Sequence, residues 1–192
     1  MPSYTHKTKI IFLDLPKKVQ EEIDKIRAIF NPHGVKRGLA HVTFKQDEDF
    51  LIGNDQLMEI VEKETRSLTP FVLEMDGIRI KYDEDHFTIF VAFKSNSILN
   101  AAVADLSKIL APYVDVRSPG ALKSTYWEQS VDFFAHVTIV TGKGEKEGKD
   151  LYNKIASQDF EAKGEIVCDS LSILEWNTDH WKMIGHVDLH VH

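Results

Sequence analysis

This chain of 192 residues has a single cysteine, no long apolar run and no excess of positive charge. The single cysteine, Cys168, can form neither an internal disulfide nor a zinc site built from several thiolates. No apolar run approaches the roughly 20 residues that span a bilayer, and no basic segment followed by an apolar one precedes the first strand. We therefore expect a cytoplasmic protein that does not bind membranes.

Basic residues are outnumbered, because 23 Lys and Arg stand against 30 Asp and Glu and give a formal net charge of -7. Affinity for long polyanions comes largely from Lys and Arg that displace counterions. This balance disfavours DNA and other long nucleic acids as partners. A small nucleotide or the terminus of an RNA fits better, and we expect the protein to be a monomer.

Apolar patterns recur in the same order in the two halves of the chain. Hydrophobic residues make up 43% of the composition, which is enough for a core. Each half predicts strand, helix, strand, helix, strand, so we expect one α+β domain over 1–192, made of two related lobes at about 1–85 and 86–192. Each lobe should be a small antiparallel-rich sheet with outer helices, and a groove should lie between the lobes. The predicted strands are 9–15, 39–44, 71–80, 87–93, 133–140, 165–176 and 181–191, and the predicted helices are 19–30, 54–68, 98–110 and 151–156.

One short motif is repeated at equivalent places in the two halves. Ala40-His41-Val42-Thr43 and Ala135-His136-Val137-Thr138 both fall on the third predicted element of their half. Side chains alternate along a strand, so the histidine and threonine of each motif share one face while the valine faces the core. If both strands face the groove, it holds two imidazoles and two hydroxyls.

That set of side chains is suited to phosphate transfer. With an ordinary pKa near neutrality, one histidine can deprotonate an attacking hydroxyl while the other protonates the leaving oxygen. Threonine hydroxyls can donate hydrogen bonds to the non-bridging phosphate oxygens. The chemistry needs no metal or other cofactor, and two unperturbed histidines predict a bell-shaped pH profile with its maximum between about pH 6 and 8.

Two His-x-Thr motifs in a duplicated α+β chain resemble the 2H phosphoesterase superfamily, which includes cyclic phosphodiesterases and 2′-5′ RNA ligase-like proteins. The resemblance implies a bilobal fold and metal-independent opening of a 2′,3′-cyclic phosphate, or of a related 2′-linked phosphodiester. It departs from the family pattern at Ala135, where proline is common, and at 45–48, where small residues are common. Two alternatives stay open: a module that binds nucleotides or RNA ends without turnover, and 2′-5′ RNA ligation in the same site.

Four further residues are candidates for substrate binding. Lys36 and Arg37 come just before the first motif, where a cation could meet a phosphate. Tyr126 and Trp127 precede the second motif and could stack on a nucleobase. Alternatively, the two basic side chains are ordinary solvated charges and the two aromatic side chains cover the core.

Two other segments invite an interpretation. At the C-terminus, His186, Asp188, His190 and His192 alternate onto one strand face, but residues two apart lie some 6–7 Å from each other. We therefore predict a polar outer face there and no metal site. The glycine-bearing segment 141–148 lacks the Walker A pattern and predicts a mobile loop beside the second motif.

Overall fold

The computed structural model describes residues 8–117, 134–158 and 164–190, and these build two antiparallel sheets of four strands each. The first sheet has the strand order β2-β1-β7-β8, and the second has the order β5-β4-β3-β6. The strands are β1 (Thr8–Leu13), β2 (Val42–Asp49), β3 (Phe71–Asp83), β4 (His86–Phe93), β5 (His136–Lys143), β6 (Glu165–Cys168), β7 (Ser170–Asn177) and β8 (His180–Asp188). The helices are α1 (Lys17–Phe30), α2 (Pro32–Arg37), α3 (Asn54–Thr65), α4 (Ser97–Leu110) and α5 (Glu145–Ala156).

The two sheets do not follow the predicted division of the chain at residue 85. That position lies in the turn between β3 and β4, which pair along most of their length from Asp83 opposite His86 to Met75 opposite Phe93. A hairpin is the most local pairing a chain can make, so β3 joins the second sheet although it belongs to the first half. Strands β7 and β8 return to the first sheet. Each lobe therefore combines segments from both halves.

Helices pack on both sheets, and they too are exchanged between the halves. Helix α3 contacts β8 and α4 contacts β2, whereas α1 contacts β5 and α5 lies against β3, β4 and β5. The apolar face predicted for α1 is present, with Val19, Ile23 and Ile26 buried. The resulting core is a single hydrophobic cluster that includes residues of both sheets.

Several local predictions are confirmed. Asn96 caps α4 by accepting hydrogen bonds from the amides of Ile98 and Leu99. Gly77 has a φ of 90° at a bulge where the register of β3 against β4 shifts. Cys168 is buried, and burial raises the pKa of its thiol to about 12, so it behaves as a small hydrophobic residue.

Three local predictions need correction. Strand β2 begins at Val42 and continues to Asp49, because the polar pair Lys45 and Glu48 is buried as an ion pair with Nζ and Oε2 3.0 Å apart. The short helix α2 was not expected, although Asn31 and Pro32 together make a helix start. Segment 141–148 contains no long loop, since β5 runs to Lys143 and α5 begins at Glu145. Among the described residues, no helix is long and apolar enough to cross a membrane.

Candidate active site

The two His-x-Thr motifs lie on the edge strands through which the sheets meet. Strand β2 is at one edge of the first sheet, β5 is at one edge of the second, and the two strands contact each other. His41 immediately precedes β2, and His136 is the first residue of β5. The predicted convergence of the motifs on the junction of two sheets is therefore present.

Each histidine makes the same hydrogen bond to its own backbone. His41 Nδ1 lies 2.7 Å from the carbonyl oxygen of Leu39, and His136 Nδ1 lies 2.9 Å from that of Phe134. A carbonyl oxygen can only accept, so Nδ1 is the donor and carries the hydrogen in both rings. Nε2 is then the atom at which each ring can take up or release a proton.

Aromatic rings fix the orientation of both imidazoles. Phe12 stacks on His41, with ring centroids 3.3 Å apart and an interplanar angle of 11°. His136 stacks on Phe134 at 5.4 Å and meets the edge of Phe90 at 5.3 Å. These contacts hold each ring in one plane, as a proton-transfer group requires.

The threonines share the face of their histidines. Thr43 is the cross-strand neighbour of Phe12, and Thr138 is the cross-strand neighbour of Phe90. The intervening valines, Val42 and Val137, are each 1% exposed and belong to the core. Each strand therefore presents one imidazole and one hydroxyl on its own side of the junction.

The surroundings favour the neutral form of both imidazoles. Burial lowers the pKa of His41 to about 3, and the charges of Arg27 and His136 push it the same way, against the bond to Leu39. Burial also lowers the pKa of His136, and nearby Lys81 adds to the effect. The influence of His136 on His41 places the two rings within electrostatic reach of each other.

Polar residues of α1 hold the backbone just before His41, and the sequence analysis missed them. Both carboxylate oxygens of Asp24 accept the amide of Ala40 at 3.1 Å, and Gln20 Nε2 donates to the carbonyl of Ala40 at 3.0 Å. Arg27 Nη1 pairs with Asp24 Oδ1 at 2.5 Å, and the Arg27 side chain is buried. Positions 20, 24 and 27 are spaced by four and three, so a polar stripe beside the apolar face of α1 was the available signal.

A second link joins α1 to the other motif. Asn31, directly after α1, accepts the amide of Gly34 through Oδ1 and thereby caps α2. Its Nδ2 donates to the carbonyl of Ile139, the residue after Thr138, at 3.0 Å. Helix α1 and the residue directly after it thus contact the backbone in or next to both motifs.

The other predicted site residues have varied positions. Lys36 and Arg37 lie in the last turn of α2, and the Arg37 guanidinium lies 5.9 Å from the centre of the Trp176 ring. Tyr126 and Trp127 lie outside the described residues. The roles assigned to these four residues stay predictions.

Of the C-terminal histidines, His186 lies differently from the prediction, and His192 lies outside the described residues. His186 faces the same side of the first sheet as Thr43, so the predicted outer polar face is in part a face of the sheet junction. Within the described ranges there is no group of three or more His, Cys, Asp or Glu side chains that could hold a metal ion.

Comparison with known proteins identifies the fold and the family. The chain is similar to Escherichia coli LigT complexed with 3′-AMP, with a TM-score of 0.52, 12% identity and coverage of 96% of this chain and 98% of that one. It is also similar to LigT complexed with ATP, with a TM-score of 0.54, 11% identity and coverage of 96% of this chain and 99% of that one. A crystal structure of a phosphoesterase has a TM-score of 0.54 and 12% identity, with coverage of 96% of this chain and 99% of that one. No curated protein matches by sequence. The family model described as the 2′-5′ RNA ligase superfamily matches residues 15–180. This bilobal α+β chain therefore belongs to the 2′-5′ RNA ligase superfamily, within the 2H phosphoesterases.

Proposed function

We propose that this protein is a phosphodiesterase that hydrolyses 2′,3′-cyclic phosphates of nucleotides or RNA ends, with His41 and His136 as its acid and base. The supporting observation is the matched pair of Nδ1 hydrogen bonds, which leaves two Nε2 atoms on contacting strands as proton-transfer groups. Hydrolysis of a phosphodiester needs one group that takes a proton and one that gives it.

The surroundings of the two histidines support a division of the two roles. Burial lowers the pKa of His41 to about 3, and the buried Arg27 adds a cation that disfavours a positive charge on that ring, so we take His41 as the neutral general base. It takes a proton from water as the water oxygen attacks phosphorus. His136 gives a proton to the ribose oxygen that leaves phosphorus. The product is a nucleoside monophosphate with one free ribose hydroxyl.

The threonines supply charge stabilisation. Each hydroxyl shares a face with its histidine and is half-buried, so it can donate to a non-bridging phosphate oxygen. Such donors act most strongly on the charge that develops in the transition state. With two threonines and two imidazoles present, the reaction needs no metal ion.

The family description includes ligation, which is the second candidate. Joining two RNA ends uses the same acid and base in the reverse direction. A net charge of -7 disfavours ligation of an RNA as large as tRNA. Hydrolysis is therefore the direction we favour.

Incubation with the four nucleoside 2′,3′-cyclic monophosphates, followed by ³¹P NMR, tests the proposal. We expect conversion to monoesters that is unchanged by EDTA and lost in His41→Ala and His136→Ala, while His180→Ala, an exposed control on β8, retains activity. Binding of the cyclic nucleotides without turnover would instead support the non-catalytic alternative. Activity that disappears with EDTA and returns with a divalent cation would contradict the mechanism.

A further inference from the structure

A polar cluster lies on the motif-bearing face of the first sheet, on or directly next to the strands β1, β7 and β8. Cross-strand neighbours run from Thr43 to Phe12, from Phe12 to Ser172 and from Ser172 to His186. Neighbours directly opposite each other on adjacent strands project from the same face. Ser172 and His186 therefore face the side on which Thr43 and the ring of His41 lie.

Asp14, at the end of β1, is the centre of this cluster. Its Oδ2 accepts hydrogen bonds from Ser172 Oγ at 2.8 Å and from Ser170 Oγ at 3.2 Å. His186 Nδ1 lies 3.6 Å from the same oxygen, and His186 Nε2 lies 3.2 Å from Asp188 Oδ1. The contacts from Ser170, Ser172 and His186 Nδ1 converge on one oxygen of Asp14, so the carboxylate is held in a single orientation.

The other oxygen of Asp14 is not used in this way. In the part of the chain that the structure describes, Oδ1 has no hydrogen-bond partner, although the side chain is only 25% exposed. Burial raises the pKa of Asp14, which reflects the cost of keeping a carboxylate there, and the two serines oppose that shift. A partly buried and oriented acceptor is thus available to a ligand at the surface of this face.

We infer that Asp14 Oδ1 accepts a hydrogen bond from the exocyclic amine of a nucleobase, whose nucleotide places its phosphate between His41 and His136. This inference rests on the proposed function, because it takes the phosphate position from it. It adds a base-recognition site that consists of Asp14, oriented by Ser170, Ser172 and His186.

Distance and charge favour a base over the other parts of a nucleotide. Two strand spacings, about 10 Å, separate Thr43 from Ser172. The ribose is bonded directly to the phosphate and stays near the threonines, whereas the base extends further. A second phosphate is disfavoured here, because acidic side chains repel its negative charge. The charge of Asp169 raises the pKa of Asp14, and Asp188 contacts His186. A neutral group with an N–H donor is the part of a nucleotide that suits such a surface.

The same chemistry predicts which base is preferred. Cytosine carries an amine at the position where uracil carries a carbonyl oxygen, and carboxylates accept from that cytosine amine. On uracil the remaining ring N–H lies between two carbonyl oxygens, which a carboxylate repels. The site should therefore select cytosine over uracil.

Calorimetric binding of 3′-CMP and 3′-UMP tests this without requiring turnover. We expect the wild-type protein to bind 3′-CMP about tenfold more tightly, as one hydrogen bond to a charged acceptor predicts. Asp14→Asn keeps the shape and can accept from the serines, but its amide can also donate to uracil, so the preference should fall below about twofold. Asp105→Asn, on an exposed face of α4, is the matched control and should retain it.

The outcomes separate this inference from the proposed function. Selectivity for 3′-CMP that Asp14→Asn removes supports the base site even if no cyclic phosphate is hydrolysed, and that combination would overturn only the proposed catalysis. Equal binding of the two nucleotides, binding of neither, or a preference that survives in a folded Asp14→Asn protein would overturn the base site. A thermal unfolding curve of Asp14→Asn establishes that it is folded.

Discussion

The two His-x-Thr motifs share one hydrogen bond and differ in the particular residues and charges around it. Both histidines donate from Nδ1 to the carbonyl two residues earlier. The backbone just before His41 is hydrogen-bonded to α1, and the His41 ring stacks on Phe12 and lies near the buried Arg27. His136 is the first residue of a strand and packs against two phenylalanines. The charge that adds to the lowering of its pKa is that of the exposed Lys81.

This difference indicates how one repeated motif can perform two opposite tasks. The shared bond sets the tautomer, so both rings present the same nitrogen. Burial lowers the pKa of both rings, and the unshared charges make the two proton affinities differ, because a buried cation is screened far less than an exposed one. The geometry of the repeat can stay symmetric while the acid and base roles separate.

The largest expected effect comes from removing either ring. His41→Ala and His136→Ala should each lower kcat by about 10²–10⁴-fold, the usual size of general acid or base catalysis. The double variant should lose little more than the worse single variant, because groups that act as a unit are not additive. Single-turnover assays with a cyclic nucleotide measure both quantities. A single variant with activity near that of wild type would refute the pairing of the two motifs.

The pH profile tests whether the two histidines differ. Both folded-state pKa values are lowered, so both limbs of kcat/KM move to lower pH than two unperturbed histidines would give. We expect a maximum between about pH 3, where His41 becomes protonated and stops acting as base, and pH 6.5, the ordinary value below which His136 titrates. Above its upper limb the rate should fall about tenfold per pH unit, because the acid is then deprotonated.

The pH profile of one variant tests the effect of the buried cation on His41. Arg27→Met removes the buried cation, so the acidic limb should move to higher pH while the other limb stays in place. Because the two histidines titrate as a coupled pair, the experiment compares the positions of the limbs between the two proteins and does not assign a limb to one residue. A wild-type optimum at pH 6–8 would show that burial does not govern the histidines in the free enzyme.

A smaller effect should follow from loosening the segment before His41. Gln20→Ala removes the donor to the carbonyl of Ala40 and should lower kcat several-fold with little change in KM, since the loss affects the position of His41 more than substrate binding. Gln158→Ala is the matched control, because it removes a similar bond to Lys154 at the exposed end of α5. Equal kcat values in the two variants would refute a positioning role for Gln20.

The last expected effect is on stability and not on activity. A histidine whose pKa is lowered by folding binds fewer protons in the folded than in the unfolded state. Its stabilisation is complete above the unfolded pKa of 6.5 and is lost as the pH falls toward the folded value, which is about 3 for His41. Urea unfolding from pH 7 to pH 4 should show a shallower loss of unfolding free energy in His41→Asn than in the wild type. A parallel loss in both proteins would contradict the lowered pKa.

Local patterns predicted much of the architecture. The helix at α1, the Asn96 cap and the bulge at Gly77 depend on neighbours within a few residues, and all three are present. Helix α5 begins at Glu145, where the glycine-bearing segment predicts a loop instead. The extension of β2 to Asp49 was missed because burial of Lys45 with Glu48 depends on a contact that hydropathy does not show.

By itself, the sequence determined that two equivalent His-x-Thr motifs exist, that each histidine shares a strand face with its threonine, and that the fold mixes α and β elements. These features follow from the period of side chains along a strand and a helix. Only the tertiary structure decided which strands share a sheet, because the β3–β4 hairpin drew β3 into the second sheet and the long-range pairing of β7 with β1 returned β7 and β8 to the first. It also brought Asp24, Arg27 and Asp14 to the motif-bearing region, since packing and burial, which join residues distant in sequence, set their positions and proton affinities.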